Sequence, residues 1–597
     1  MPVQHDSTFR RIGGEAGATV TLVAEGASVE ARDGDSVAAA MLAAGIDHCR
    51  TTPVSGAPRA PYCMMGVCFD CLVTIDGVGN RQACMTRVQP GMRVEPQRGK
   101  RDIAAEGQAQ GNDRFAVDRR PAQTEPQASA GVIRESYDVA VVGAGPAGLA
   151  AAAWCARAGL STVLFDEQSS PGGQIYRGIT DSPVAAGGVL GESYARGRAL
   201  VQALRVSGAQ YVPGATVWSL DRAREIGVSV AGRSWLTRAR RIILCGGALE
   251  RPFPVPGWTL PGVMTVGAAQ GLLKSSGLVA SNRTVLAGCG PLLWLLAWQY
   301  LNAGARIDAI LDTTERGART RAMPHVLPFV FSGYFAEGLR LLRAVRRKVR
   351  VVSGVDALRA AGDGRVRSVT YAVDGREETL PVDLLLLHQG VVPNVNLAMA
   401  TGVEHRWDDV QLCWTPVLDA DGNSSVEGVA LAGDGAGIAG ARAAEFRGTL
   451  AAMAAARALG RDVPDGDDRR ARESLTRAMR GRAFLDALYR PAQSFRRPAG
   501  DVIVCRCEEV TARQIEEAVA LGCPGPNQMK TFLRCGMGPC QGRLCGLTVT
   551  ELIAQARGVP PQDVGYYRLR PPIKPITVGE LAGMPLAEAA VKAVVRS

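Results

Sequence analysis

Histidine is scarce in this 597-residue chain, which has only five. Histidine-based zinc sites and Ser-His-Asp triads therefore have little raw material. No run approaches the roughly 18 apolar residues of a membrane-spanning helix. The opening segment MPVQHDSTFRRIGGEAGATV has no apolar core, so its Arg10-Arg11 pair does not read as an export signal. A cytoplasmic protein is expected, with at most peripheral association with the inner face of a membrane. Basic charge is not lacking, since the formal net charge is +11. The arginines are scattered, however, enriched only around Leu341–Arg350 and Arg469–Arg497. That distribution argues for solvated helix faces and against nucleic acid, leaving an acidic partner or an anionic membrane face as the alternative. Hydrophobic residues at 47% and charged residues at 21% fit a globular protein. A chain this long is expected to hold about three to five domains.

What is abundant is cysteine, with 15 residues unevenly placed. Five lie between Cys49 and Cys84 and six between Cys505 and Cys545, with four isolated between the groups. In a cytoplasmic chain this points to metal or redox work and not to disulfides. Cys63, Cys68, Cys71 and Cys84 follow the spacing C-x4-C-x2-C, with the fourth cysteine after twelve further residues. This is the plant-type 2Fe–2S arrangement: a loop wraps three thiolates round the cluster and a following strand supplies the fourth. Soft sulfur suits such clusters, and Gly66 permits tight backbone passage. Zinc usually takes two paired knuckles, which this spacing does not provide. Cys49 is off the pattern and reads as a core residue.

The chain divides into blocks. Residues 1–98 alternate short β-like runs with a helical stretch, and 99–135 are rich in Gln, Ala and charge without apolar periodicity, which reads as a linker. Strands alternate with helices from 136 to 460, the pattern of parallel α/β layers. This block divides at 275 and 385, so that a second nucleotide-type domain (276–385) interrupts the first (136–275 and 386–460). A helical connector (461–500), a second cysteine domain (501–555) and a tail (556–597) complete the chain.

YDVAVVGAGPAGLAAAAWCARAG is a buried strand, the turn Gly143-x-Gly145-x-x-Gly148 and an Ala-rich helix. The first glycine makes the tight turn, the second admits a pyrophosphate and the third lets helix and strand pack closely. The next strand ends at Asp166-Glu167, where an acid should grip a ribose. Glu167 is favoured and Asp166 is the alternative. The apolar strand of IILCGGALERPFPVPG is broken at Gly246, where the chain would re-approach the cofactor. VALAGDGAGIAGA sets Gly433 and Asp434 between a strand and an Ala-rich helix. This segment resembles the GD motif of two-dinucleotide-domain flavoproteins, and SPGGQIYR, with Gly173 and Gln174, resembles their flavin-lining loop. The resemblance implies FAD, with Asp434 near its ribityl–phosphate region. A second turn carries Gly288 and Gly290 but has Leu293 where glycine or alanine belongs. The domain is expected, and Leu293 weighs against a working NAD(P) site. The flavin half has only Cys155 and Cys245, so a flavin–disulfide relay is not expected. No catalytic residue is assigned; His388, a lone histidine at a strand end, reads as structural.

In the second cysteine block, Cys505 and Cys507 form C-x-C, and Cys535 and Cys540 form C-x4-C within a loop containing Gly536, Gly538 and Gly542. The block resembles the small helical domain of bacterioferritin-associated ferredoxin type, which implies a second 2Fe–2S cluster. Zinc is the rival metal, Cys545 is the alternative to Cys540, and Cys523 is a bystander.

The order of modules, with GAPRAPYCMMGVCFDC, WTLPGVMTVGAAQ and RCGMGPCQGRLCG, resembles a fusion of the ferredoxin-like and FAD subunits of bacterial multi-subunit amine dehydrogenases. These are the hydrogen cyanide synthase, opine oxidase and D-hydroxyproline dehydrogenase type. The implied fold is multidomain α/β: a β-grasp ferredoxin domain, a two-dinucleotide-binding-domain flavoprotein core and a small helical C-terminal 2Fe–2S domain. The implied role is electron transfer from an amine-oxidase-type flavoprotein subunit to a respiratory acceptor. An additional FMN at a subunit interface is left open. The alternative is a self-sufficient NAD(P)H-dependent reductase.

Overall fold

In the first domain, alternation along Thr19–Ala24 turns Val20, Leu22 and Ala24 inward, as a strand with one buried face requires. This strand joins a five-stranded sheet in the order Ala27–Arg32, Thr19–Ala24, Arg93–Pro96, Leu72–Ile75, Val78–Gln82. The helix Val37–Ala43 covers the sheet, capped by the Ser36 hydroxyl, which accepts from the Ala39 N–H at 3.2 Å. The computed structural model describes residues 7–13, 18–98, 133–185 and 188–584. The expected linker 99–135 lies outside the described residues except for 133–135.

The strand Ser136–Val142, apolar from Val139 onward, forms the centre of a mostly parallel sheet. It pairs with Thr162–Asp166 on one side and Arg233–Leu244 on the other, and Val429–Leu431 returns to pair with Arg233–Leu244. The helix Pro146–Arg157, which follows the first glycine turn, and the later helix Ala441–Ala458 pack closely because both are rich in small residues. A Cβ on Gly448 would lie 2.1 Å from the Ala147 carbonyl oxygen, so only glycine fits that crossing. A second parallel sheet runs Val263–Thr265, Leu384–Gln389, Thr284–Cys289, Ala309–Asp312, Arg350–Ser353. In the chain this second sheet falls between strands of the first, but it is not confined to 276–385: it takes Val263–Thr265 from before residue 276, and Leu384–Gln389 runs across residue 385. The strand Phe9–Arg11 pairs antiparallel with Leu278–Ala280 and so fastens the N-terminal domain to the middle of the chain.

The C-terminal cysteine domain is a short hairpin, Ile503–Cys505 with Val510–Thr511, followed by the helices Ala512–Ala520, Pro526–Leu533 and Gly546–Arg557. Thr511 and Gln514 form a reciprocal capping box at the start of the first of these helices. One hydrophobic cluster contains Cys63 and Cys68 together with Cys505, Cys507, Cys535, Cys540 and Cys545. The two ends of the chain therefore share a core.

Candidate cofactor and metal sites

The glycines of the flavin motif converge from four segments. At Gly143 (φ 104°) a Cβ would meet the Cys245 carbonyl oxygen at 2.4 Å, and at Gly148 it would meet the Gly143 carbonyl oxygen at 1.8 Å. A Cβ on Gly173 would lie 2.8 Å from the Gly145 Cα, and one on Gly433 would lie 2.9 Å from the Ala147 Cβ. Gly435 lies beside Gly246 and Gly247 with more room, since its Cβ would stand 3.4 Å from Gly247 and 3.8 Å from the Gly246 nitrogen. The result is a crevice lined by bare backbone at the N-terminus of the helix Pro146–Arg157, which suits a pyrophosphate. Asp434 fixes the next loop, its Oδ1 accepting the Ala439 and Gly440 N–H groups at 2.9 Å each.

The two candidate ribose acids do different things. Asp166 is buried and accepts from the Ala144 N–H at 2.7 Å and the Gln168 N–H at 2.7 Å, so it holds the glycine turn in place. Burial raises its pKa to about 6 against those two hydrogen bonds. Glu167 is partly exposed and forms an ion pair with Lys574 from the tail, whose ammonium also lies 3.4 Å from the Gly66 carbonyl in the first cysteine loop. Gln174 is exposed, while its carbonyl, with that of Ile175, accepts from Lys274 Nζ at 3.1 and 2.8 Å. Lys274 is fully buried and also donates to Gln270 at 2.7 Å; burial, with Arg177 nearby, lowers its pKa to about 7. Nothing in the local sequence marks Lys274 or Lys574 as part of the site. Cys155 and Cys245 are buried free thiols, and burial pushes Cys155 up to about 12, so neither has the character of a reactive thiolate.

In the second nucleotide-type domain Leu293 is fully buried in the main hydrophobic core. His388 also is buried, its Nδ1 2.6 Å from Glu250 Oε1, while Glu250 Oε2 accepts the Gly267 N–H at 3.0 Å. The imidazole edge stands against the glycine turn, since a Cβ on Gly290 would lie 3.1 Å from His388 Nε2. Glu250 was not expected from the sequence because it lies 138 residues away.

Cys63, Cys68, Cys71 and Cys84 are all buried, the most exposed at 7%. The Met65 N–H points at the Cys63 sulfur and the Asp70 N–H at the Cys68 sulfur, each at 3.5 Å. Burial raises the Cys63 pKa, but hydrogen bonds from the Cys68 thiol and nearby backbone N–H groups outweigh it and lower the thiol to about 6. Backbone donors converging on buried sulfur are what a cluster of negative charge needs. A Cβ on Gly66 would strike the Met85 sulfur at 2.8 Å, so this glycine serves close packing as well as chain passage. Arg177, from the flavin-lining loop, donates to the Met64 carbonyl and to Gln168 Oε1 at 2.9 Å. It therefore ties the first cysteine loop directly to the flavin crevice.

In the second block the sulfurs of Cys505, Cys535 and Cys545 lie within 4.8 Å of one another. Cys507 and Cys540 form a neighbouring hydrogen-bonded pair that raises the first thiol and lowers the second. All five are buried, and hydrogen bonds from Cys535 and Cys545 lower Cys505 well below the ordinary thiol value. Cys523 stands aside, with its thiol 3.5 Å from the Gly525 carbonyl, and Cys49 is a fully buried core residue. Two of the loop glycines are constrained both in backbone and in space, Gly536 and Gly542 having φ of 83° and 79°. Cβ atoms on Gly536 and Gly542 would enter the Tyr567 ring at 2.4 and 2.6 Å. Tyr567 belongs to the tail, and its hydroxyl donates to the Cys535 sulfur at 3.4 Å. The tail from 556 is thus part of this site.

Both thiol groups fit iron–sulfur chemistry in burial, donor type and backbone support, and the glycine crevice fits a dinucleotide. Residues 17–99 match the 2Fe-2S iron-sulfur cluster binding domain, 137–458 the pyridine nucleotide-disulphide oxidoreductases and 500–584 the sarcosine oxidase A3 domain. The protein is a flavin-dependent oxidoreductase with an iron–sulfur domain. It is 47% identical over 475 residues to an opine oxidase subunit of Agrobacterium tumefaciens (strain Ach5), covering 77% of this chain and 94% of that one. It is 33% identical over 462 residues to hydrogen cyanide synthase subunit HcnB of Pseudomonas aeruginosa, covering 73% and 96%. The chain belongs to this family of oxidase subunits. L-proline dehydrogenase from P. horikoshii shares the fold, with a TM-score of 0.69 over 96% of this chain and 99% of that one at 20% identity. No helix among the described residues is long and apolar enough to cross a membrane.

Proposed function

We propose that this chain is the FAD and iron–sulfur electron-transfer subunit of an amine or imino-acid dehydrogenase complex, of opine, D-hydroxyproline or glycine type. A partner amine-oxidase-type flavoprotein would oxidise the substrate, and this chain would pass the electrons to a respiratory acceptor. The relatives are named as subunits of opine oxidase and hydrogen cyanide synthase, which supports a partner chain. FAD accepts electrons in pairs and releases them singly, which one-electron iron–sulfur centres require. Gly143, Gly145, Gly148, Gly173, Gly246, Gly433 and Asp434 would hold the dinucleotide, with Glu167 at its ribose. Cys63, Cys68, Cys71 and Cys84 would hold one cluster. Cys505, Cys507 and Cys535, with Cys540 or Cys545, would hold the second.

The observation that carries this reading is the contact of Arg177 with the Met64 carbonyl, which sets a buried thiol cluster against the flavin loop. Leu293 supports delivery of electrons from a protein partner in place of NAD(P)H. Co-purification and anaerobic titration test the proposal together. A bound amine-oxidase-like flavoprotein, with a flavin that NADH and NADPH leave oxidised, is the expected result. Rapid bleaching by either nucleotide in the isolated chain would overturn it in favour of a self-sufficient reductase.

A further inference from the structure

Asp70 lies between Cys68 and Cys71, and Arg506 lies between Cys505 and Cys507. They are 436 positions apart in the chain, yet Arg506 Nε donates to Asp70 Oδ2 at 2.8 Å. Both side chains are buried, at 1% and 2% exposure. Arg506 Nη1 donates to the Trp258 carbonyl at 2.8 Å, and its guanidinium lies 4.0 Å from the Tyr62 ring centroid and 4.6 Å from that of Trp258. Trp258 in turn donates to the Ile503 carbonyl at 2.8 Å, two residues before Cys505. The other Asp70 oxygen accepts from Arg50 at 3.2 Å, and Arg59 stands 4.0 Å away. Arg59 also pairs with Glu509 at 2.7 Å, which joins the same two segments again.

Three guanidinium groups thus face two carboxylates inside the protein, an excess of one positive charge. Apolar side chains of similar volume would hold two domains together at least as well, because desolvating charge is costly. The excess cation lies where two thiolate sites approach, and thiolate clusters carry negative charge that repels across a low-dielectric gap. The Asp70 N–H also points at the Cys68 sulfur at 3.5 Å, so the ion pair is one residue from a candidate ligand on either side.

We propose that the two cysteine sites form one paired metal centre and that Arg506 is the positioning residue that joins them. This rests on the iron–sulfur reading above and deepens it: the clusters are neighbours and not stations on opposite sides of the flavin. The cationic fork fixes their separation and offsets their mutual repulsion. Its removal lowers the reduction potential of the nearer cluster, since net charge and hydrogen bonding set that potential.

The test uses the full chain, with iron, zinc and acid-labile sulfide analysis and electron paramagnetic resonance after dithionite reduction. With both sites loaded, the signals should be broadened and fast-relaxing through spin–spin interaction. In Cys68→Ser, which empties the first site, the remaining signal should narrow and relax slowly. Arg506→Gln should weaken the interaction and lower one potential by about 59 mV, a tenfold change in one-electron partition. Arg506→Lys keeps the charge without the fork, so it should recover the potential more fully than the interaction. Two clusters with magnetically independent signals in the wild-type protein would overturn the paired centre alone. Native interaction and potentials in a fully loaded Arg506→Gln protein would remove Arg506 from the role. Should Arg506→Gln fail to load, the wild-type spectrum and Arg506→Lys decide. Zinc in the C-terminal site would instead overturn the iron–sulfur reading itself.

Discussion

Gly538→Ala adds one methyl group where the C-terminal cysteine loops meet. Its Cβ would lie 2.2 Å from Cys507 Cβ and 2.8 Å from Cys507 Sγ. Carbon atoms settle at about 3.5–4.0 Å, so the loops would have to part by roughly 1.3 Å or more. Metal–thiolate sites tolerate about 0.2 Å in ligand distance, several times less than this displacement. Gly538 is not at positive φ, so backbone strain adds nothing and the effect is purely one of contact. Overpacking of this kind costs about 1–3 kcal/mol, which a domain of ordinary stability survives. The expected product is a folded protein that keeps FAD and the N-terminal cluster but loses the C-terminal one. Iron and acid-labile sulfide should fall from about four to about two of each per chain, with flavin absorbance unchanged. Gly338→Ala is the control: it lies in the helix Gly333–Arg346, where its Cβ would meet nothing within 4 Å beyond the adjoining residues and backbone of that helix, and it should be neutral or slightly stabilising. A Gly538→Ala protein with full iron and an unchanged visible circular dichroism spectrum would refute Cys507 as a ligand.

Three other outcomes are expected. Gly148→Ala, whose Cβ would lie 1.8 Å from the Gly143 carbonyl oxygen, should yield protein without FAD; flavin retained at one per chain would refute the crevice. Leu293→Ala empties a fully buried site and should cost about 2–5 kcal/mol, read as a fall in Tm, without making NADH bleach the flavin. Lys274, lowered by burial from 10.5 to about 7, binds fewer protons in the folded than in the unfolded chain between those values. Its contribution therefore rises with pH through that window, by up to about 1.4 kcal/mol per pH unit, and is lost as pH falls through 7. Lys274→Met should flatten the Tm difference between pH 7 and pH 9, and an unchanged difference would count against a shifted lysine.

The cysteine spacings, the glycine turns and the strand–helix alternation were legible because each is a local pattern whose chemistry depends on residues close in the chain. The strand ending at Asp166 belongs to the same class, whereas Cys84, expected on a strand, stands in a turn just past the strand Val78–Gln82. The roles of neighbouring residues were less legible. Asp166 and Glu167 are adjacent carboxylates, and only the end of the strand between them, with Asp166 its last residue and Glu167 just beyond it, assigns one to the glycine turn and the other to Lys574. Gly536 and Gly542 look like flexible loop residues until the Tyr567 ring is placed against them.

By itself, then, the sequence determined the modules, the candidate ligands and the dinucleotide turns. The tertiary structure alone decided how the modules meet. Arg506 and Asp70, Arg177 and Met64, and Lys574 and Glu167 are pairs separated by 436, 113 and 407 residues. No periodicity or spacing connects such residues. Their contacts arise from packing between domains, where buried charges must find partners and a shared core brings the two cysteine blocks together.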